Sequence, residues 1–495
     1  MTLVIENSRN TDWVCSIFMI KNKEMLDSAK TTIRAAEGTI EIAILSLVYY
    51  LVFRKGYEEG TFPAYLGNGK YVLLGVYALL CMVLFHNFEG FKFGYLRLSD
   101  VLVSQGIALL LGNFITYWQL CLIANRVISP VPMLILCVAD VVIAFGCCWN
   151  FSVIYHRLYR PMNMVMIYGS DAGVSLRYKM STRGDKYRIR KQISIEEDMA
   201  SILEQIAEFD GVILSDLPAE KRNDILKFCY RNRIRAYVTP KLTDIIIRGA
   251  TDICLFDTPL LLVRGRGLTI TQRAIKRIFD VVLCCIAMVV AAPVMLIVAA
   301  AIKIEDGGPV FFTQKRASLN GEVFEIIKFR SMIVDAEKDG KSIPATDNDP
   351  RITKVGRFIR ATRIDELPQI INILKGDMSI VGPRPERVEH VAEYSKLIPE
   401  FDFRLKVKGG LTGYAQIYGK YNTTPYDKLR LDLMYIERYS LLLDVKLILM
   451  TLRIMLKRES TEGFEPCELR EKPETQAAQT DAKEKPEEEM AFSGK

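Results

Sequence analysis

Histidine is nearly absent from this chain of 495 residues: His86, His156 and His390 are the three, far apart in sequence. A multi-histidine metal centre is therefore not expected, although a single histidine ligand or base stays open. Eleven cysteines are present, yet no Cys-x-x-Cys pair. Most of them (Cys81, Cys121, Cys137, Cys147, Cys148, Cys284, Cys285) fall in apolar stretches and read as buried, reduced thiols. The G-x-G-x-x-G spacing of a dinucleotide-binding turn is missing as well.

What is present is segregated. Half of the residues are hydrophobic and a quarter are charged, with a formal charge of +7 and a mean hydropathy of +0.15. That combination fits neither a simple soluble enzyme nor a disordered chain, and the length allows roughly three domains. Four apolar runs, 38–53, 71–87, 101–123 and 131–152, approach the ~20 residues that cross a bilayer, and Glu41 and Asp140 are the exceptional charges inside them. A charged lead precedes the first run, which is unlike a cleavable signal peptide. Lys and Arg concentrate in that lead (Arg9, Lys21, Lys23, Lys30, Arg34) and at the exit, His156 to Arg160. Both ends of a four-helix membrane region, 1–160, are thus expected on the cytoplasmic face, with Arg54, Lys55 and Lys70 weakening the bias.

Residues 161–268 read as a small soluble α/β, Rossmann-like domain. Strand-like runs at 164–168, 211–214 and 236–238 alternate with helical patterns at 196–208 and 219–232. The turn Gly169-Ser170-Asp171-Ala172-Gly173 could open onto a helix N-terminus. Tyr187 and Lys191 have the Tyr-x-x-x-Lys spacing of some dehydrogenases, but in a basic, strand-like stretch. A structural or regulatory module is the expectation.

From 271 the character changes again. Val281–Ile302 carries no charge, has Pro293 near its middle, and is flanked by cations on both sides: Arg273, Lys276 and Arg277 before, Lys303, Lys315 and Arg316 after. A proline inside a helix removes a hydrogen bond and favours a kink. Basic flanks on both sides suit a bent, re-entrant insertion over about 279–302 better than a spanning helix.

Side chains suited to chemistry concentrate after 313. Lys328 and Arg330 occupy alternate positions of an extended run and share a face. Asp349-Pro350-Arg351, then Arg357, Arg360 and Arg363, precede Asp365-Glu366-Leu367-Pro368. The spacing of Leu367, Ile370, Ile371 and Leu374 predicts a helix that Gly376 ends, so both carboxylates belong at its entrance. The dipole and the nearby arginines favour ionised carboxylates there, able to hold Mg²⁺ or a phosphate-bearing substrate; plain helix capping is the simpler alternative. Pro383 and Pro385 pin Arg384 between them. Guanidiniums, a lysine and paired carboxylates without a histidine base make up a phosphate-handling set.

The stretch from Lys276 to about Lys457 resembles the catalytic domain of the bacterial sugar transferases, the monotopic phosphoglycosyl transferases. The landmarks are Gly308-Pro309-Val310-Phe311, Lys328-Phe329-Arg330-Ser331-Met332, Asp365-Glu366-Leu367-Pro368-Gln369, Gly382-Pro383-Arg384-Pro385 and Lys408-Gly409-Gly410-Leu411-Thr412-Gly413. The whole chain resembles the large members, with four transmembrane helices, a Rossmann-like module and a mostly helical catalytic domain at 271–458. The resemblance implies transfer of a sugar 1-phosphate from a UDP-sugar to polyprenyl (undecaprenyl) phosphate with release of UMP, initiating exopolysaccharide, capsule or O-antigen synthesis. It implies Asp365 as nucleophile, through a covalent phosphosugar intermediate, and as a contact for the cofactor Mg²⁺. Glu366 would be its partner, Lys328 and Arg360 phosphate contacts and Arg384 part of the nucleotide-side loop, with Arg330, Arg351, Pro383 and Pro385 as further substrate-binding residues. It further implies a helix broken at Pro293, a multi-pass place in the bacterial inner membrane with the catalytic domain in the cytoplasm, contact with membrane lipids, and a homodimer. Two departures stand out: Ala292 where many relatives place serine, and Ala317-Ser318 where many have glycine.

Two other readings compete. One is a membrane-anchored NAD-dependent nucleotide-sugar dehydratase or epimerase, which the missing glycine fingerprint opposes. The other is an assembly scaffold with a dead catalytic domain, which the intact Asp365-Glu366 pair opposes. Leu441–Leu456 is apolar and reads as an interfacial helix, with a core helix the alternative. Residues 459–495 hold five Lys or Arg against eleven Asp or Glu, a net of −6 that leaves +13 for the rest. An acidic, disordered tail on a basic membrane enzyme is expected, suited to an anionic leaflet and phosphate substrates. No nucleic-acid motif is present.

Overall fold

The computed structural model describes residues 30–58, 68–170, 172–265, 267–334, 349–419 and 423–455. The acidic tail and most of the charged lead lie outside the described residues.

The N-terminal unit is built of four long apolar helices: α1 (Lys30–Tyr57), α2 (Gly69–Asn87), α3 (Leu98–Ala124) and α4 (Val131–Leu158). Each is long and apolar enough to cross a membrane. Their inward faces meet at Leu45, Tyr49, Tyr77, Phe85, Leu109 and Leu136, all nearly inaccessible. Their outward faces leave Leu47, Leu51, Val72, Leu79, Leu110 and Leu122 bare, the all-round apolarity of helices that meet lipid. The two charges flagged in the sequence are fully buried: Gln105 Nε2 donates to Glu41 Oε2 at 2.9 Å, and Tyr77 and Asn113 donate to Asp140 Oδ2 at 2.9 and 2.8 Å. The helices outrun the apolar runs because their polar ends pack too: Lys30 lies 4.7 Å from the Tyr159 ring and Arg34 4.6 Å from that of Tyr95.

The second unit is a four-stranded parallel sheet in the order β2-β1-β3-β4, from β1 (Met162–Tyr168), β2 (Tyr187–Ser194), β3 (Gly211–Ser215) and β4 (Arg235–Val238). Residues 164–167 of β1 and 212–214 of β3 are continuous apolar runs because helices cover their faces. After the sheet comes a hairpin that the sequence did not suggest, β5 (Thr251–Leu255) with β6 (Thr258–Leu262), whose tip Phe256 is fully exposed.

The third unit opens with α5 (Ile270–Asp306), a 37-residue helix that stays helical through Pro293. Thr269 and Gln272 cap its start reciprocally. Polar groups near both ends of α5 bind the same soluble body. Near the start, Lys276 pairs with Asp444 at 2.5 Å, Arg277 donates to the carbonyls of Ile373 and Leu374, and Asp280 accepts from Ser379 Oγ at 2.7 Å. At the end, Glu305 accepts from the backbone N–H groups of Lys354 and Val355, and Asp306 pairs with Arg330. Between them Cys284, Ala291, Val298 and Ile302 are buried, while Ile278, Val282, Ile286, Val289 and Leu296 stay exposed along the other side. Of the described cysteines, Cys285 is exposed rather than buried as expected, as is Cys254, and Cys137 and Cys147 are half-buried.

Candidate functional site

Four segments converge at the candidate site. The first is the antiparallel hairpin of β7 (Phe311–Ala317) and β8 (Val323–Phe329). The second is a helical turn at Ile364–Glu366, followed by α6 (Gln369–Lys375). The others are the loop after β9 (Ser379–Val381) and its parallel partner β10 (Gly410–Thr412).

Asp365 and Glu366 lie at the entrance to α6, with Pro368 just before the helix and Gly376 ending it at φ 100°. Asn372, on the buried side of α6, sets the docking. Its Oδ1 accepts from the Ile327 N–H at 2.9 Å, and its Nδ2 donates to the Glu325 carbonyl at 2.7 Å. This pair of bonds aligns α6 with β8 and so brings Lys328, the next residue of the strand, to the carboxylate pair. Nothing in the sequence reading picked out Asn372; an amide among the apolar positions of a short helix was the available signal.

Lys328 Nζ and Arg384 Nη2 both donate to one oxygen, Glu366 Oε1, at 2.9 and 2.7 Å. Desolvation alone would raise the Glu366 pKa, but the Arg384 and Lys328 cations outweigh it and hold this carboxyl far below its ordinary value. Asp365 goes the other way. Burial and then the Glu366 charge push its carboxyl up, against the weaker pull of Lys328, Arg363 and Arg360. The cations that the sequence places around the two carboxylates thus lower the pKa of Glu366 but leave that of Asp365 raised, because they favour one member of the pair. Asp365 Oδ1 is buried and has no hydrogen-bond partner. An orphaned carboxylate oxygen is costly, and it is the atom a cation or a phosphoryl group would engage.

The loop carrying Arg384 is held from several sides. The carbonyls of Pro383, Arg384 and Pro385 accept from Gly410 N at 2.8 Å, Arg404 Nη2 at 2.9 Å and Arg316 Nη1 at 3.1 Å. Gly382 N donates to Thr412 O, and the Glu386 carbonyl accepts from Ala317 N. Arg404 is itself buried and bound to Asp432 at 2.8 Å. The glycines of the Lys408–Gly413 run permit this contact: a Cβ on Gly410 would sit 2.1 Å from Gly382 N. Ser318, one of the departures from the family pattern, joins the same support, donating to the Asp377 carbonyl and accepting from Gly409 N. Arg404 and Asp432 had no named role in the sequence reading, and Arg316 figured there only as a flanking cation, since each acts through contacts distant along the chain.

Other expected contacts are placed differently. Arg330 is buried, pairs with Asp306, and fills the space over Gly308, where a Cβ would meet Nη1 at 2.0 Å. Arg351 forms an ion pair with Asp349 at 2.6 Å. Both guanidiniums therefore already have carboxylates, whereas Lys328, Arg360 and Arg384 act on the Asp365-Glu366 pair. Pro383 and Pro385 are buried beside Arg384. Tyr187 and Lys191 lie on β2, not on a helix, so the dehydrogenase-like spacing does not form a helical pair. No group of three or more His, Cys, Asp or Glu gathers as a metal site among the described residues.

Comparison with known proteins places this geometry in context. A family profile described as bacterial sugar transferase matches residues 271–458. The UDP-glucose:undecaprenyl-phosphate glucose-1-phosphate transferase of Klebsiella pneumoniae is 42% identical over 210 residues, 41% of this chain and 43% of that protein. A UDP-N-acetylgalactosamine-undecaprenyl-phosphate N-acetylgalactosaminephosphotransferase of Aeromonas hydrophila is 43% identical over 185 residues, 37% of this chain and 44% of the relative. In Caulobacter vibrioides, a UDP-glucose:undecaprenyl-phosphate glucose-1-phosphate transferase is 41% identical over 191 residues, 37% of this chain and 71% of that protein. The chain thus spans less than half the length of the first two relatives and most of the third. The matched segment holds every group that converges on Asp365 and Glu366, and the chain belongs to the bacterial sugar transferase family.

Proposed function

We propose that the chain transfers a sugar 1-phosphate from a UDP-sugar to polyprenyl phosphate and releases UMP. The observation that carries this reading is Asp365: a carboxylate with a buried, partnerless oxygen, among cations, in a unit seated on an apolar helix. The names of the relatives support the two substrates. They name different sugars, so the sugar is to be found by assaying a panel of UDP-sugars.

The chemistry divides into two displacements. Asp365 Oδ1 attacks the β-phosphorus of the UDP-sugar, forming a carboxyl–phosphorus bond as the bond from that phosphorus to the bridging oxygen breaks. UMP leaves with the bridging oxygen and its electron pair. An oxygen of polyprenyl phosphate then attacks the same phosphorus and frees the Asp365 carboxylate. A covalent step lets two bulky substrates use one site in turn. A carboxylate made more basic by burial is the better nucleophile once ionised. Glu366 remains charged and holds Lys328 and Arg384 in register for the diphosphate.

The donor set suits Mg²⁺, which takes one or two carboxylates and completes its shell with phosphate oxygens and water. Asp365 would hold it, and Mg²⁺ bound there supplies charge neutralisation for the diphosphate. Docking of both ends of α5 on one body supports a re-entrant insertion bent near Pro293, with that body on the cytoplasmic face of the inner membrane. The reading is tested by UMP release requiring UDP-sugar, polyprenyl phosphate and Mg²⁺ together. Full activity in Asp365→Asn, or no phosphosugar adduct on residue 365 by mass spectrometry during turnover, would overturn it.

A further inference from the structure

The loop of residues 88–97, between α2 and α3, touches all three units. It is rooted in the membrane bundle by buried Phe88 and Phe93, and by Gln105 Nε2 donating to the Gly90 carbonyl at 3.3 Å. Tyr95 reaches the second unit: its carbonyl accepts from Arg183 at 2.8 Å, and Lys186 lies 4.0 Å from its ring. Glu89 reaches the third unit. It is 3% exposed and sits at φ 64°, a conformation that non-glycine residues adopt only when the surroundings enforce it.

The partners of Glu89 come largely from α7 (Leu441–Met455), the last described helix. Lys446 Nζ lies 3.2 Å from Oε1 and Arg453 Nη1 3.7 Å from Oε2. Lys92 at 2.7 Å and the Tyr418 hydroxyl at 3.4 Å complete the shell. The neighbouring Leu449 packs on the membrane core. On its other side α7 supports the Arg384 loop. The Thr451 hydroxyl donates to the Leu447 carbonyl, so the hydrogen bond between the Thr412 and Thr451 hydroxyls, 2.6 Å, is donated by Thr412. Thr412 in turn accepts Gly382 N through its carbonyl. Asp444, also on α7, lies 2.9 Å from the Tyr435 hydroxyl, which is 3.2 Å from the Val381 carbonyl.

We infer that Glu89 is a positioning residue: through α7 it ties the membrane bundle to the loop that presents Arg384 and so sets substrate affinity at the candidate site. The inference rests on the sugar-transfer reading for its kinetic consequence and on geometry alone for its mechanical one. A buried carboxylate among cations from the facing unit is a directional joint, whereas apolar packing alone would let α7 slide.

The test uses the full chain in lipid nanodiscs. In Glu89→Gln, amide exchange over 380–386 and 409–413 should rise roughly three- to tenfold, with the β1–β4 strands unchanged as an internal control of folding. KM for the UDP-sugar should rise more than kcat falls, and Glu89→Asp, which keeps the charge, should stay near wild type. Lys446→Gln, weakening the joint from the opposite side, should reproduce the Glu89→Gln pattern. Wild-type exchange in both loop stretches of Glu89→Gln and Lys446→Gln would overturn the inference. Absence of UMP release by the wild-type chain would instead sink the transferase reading, leaving the exchange result to decide the joint.

Discussion

Asp365 and Glu366 are neighbours in the chain and opposites in electrostatic state. Glu366 takes Lys328 and Arg384 on one oxygen and is held ionised, while Asp365 is left with a buried, partnerless oxygen and an upward-shifted carboxyl. Carboxylate pairs whose environments pull them apart divide their roles: here the charged member organises cations, and on the proposed mechanism the more basic member reacts.

The pH dependence follows with a definite sign. On the proposed mechanism Asp365 reacts as the carboxylate, so turnover should fall on acidification through its raised pKa, with the acid limb displaced upward from the ordinary aspartate value. Glu366→Gln removes the like charge and should move the limb to lower pH. Lys328→Met removes an attractive charge and should move it to higher pH. Profiles of kcat/KM for the two variants that shift in the same direction would count against the assignment.

Gly308 and Arg330 should behave as a coupled pair. Gly308→Ala places a methyl where the Arg330 guanidinium lies, so it should disrupt the pair with Asp306 and lower thermal stability. In an Arg330→Ala background the same change should cost much less, giving an interaction energy of roughly 0.5–3 kcal/mol in a double-mutant cycle. Additive losses would mean that the glycine serves another purpose.

Arg404 and Asp432 form a buried ion pair behind the Arg384 loop. Asp432→Ala leaves the buried guanidinium with the more distant Glu386 carboxylate, at 3.6 Å, and should cost up to about 3–5 kcal/mol of stability, read as a lowered midpoint of thermal unfolding. Because Arg404 also binds the Arg384 carbonyl, Arg404→Met should weaken UDP-sugar affinity beyond what its stability loss explains.

Asn372→Leu keeps the helix apolar but leaves the Ile327 N–H and the Glu325 carbonyl without their partner. A penalty of about 1–3 kcal/mol per orphaned group is expected, with faster amide exchange at Ile327. Unchanged exchange there would show that the hairpin holds Lys328 without help from α6.

Much of this architecture was legible in the chain. The membrane helices announced themselves through apolar runs, although their polar ends did not, because Lys30 and Arg34 are held by aromatic rings that hydropathy does not register. The β5–β6 hairpin escaped notice because Leu260–Val263 is a continuous apolar run without strand-like alternation. At the site, Pro368 and the spacing from Leu367 to Leu374 located the carboxylates at a helix entrance, but their opposite states depend on cations 38 and 18 positions away. Arg330 and Arg351, expected as substrate contacts, pair with Asp306 and Asp349, which a sequence does not show because it lists cations without their carboxylates.

Glu89 and Tyr418 lie 329 residues apart in the chain, and α7 follows later still. At ~5–20 residues synthesised per second, the partners of Glu89 in the third unit leave the ribosome roughly a quarter of a minute to a minute after it does. During that interval Glu89 has Lys92 beside it but not the cations of α7, and the third unit lacks the helix that buries Asp444, Leu447 and Met450. Neither part can therefore close until α7 has been made, which leaves the nascent chain open to proteases until that helix docks.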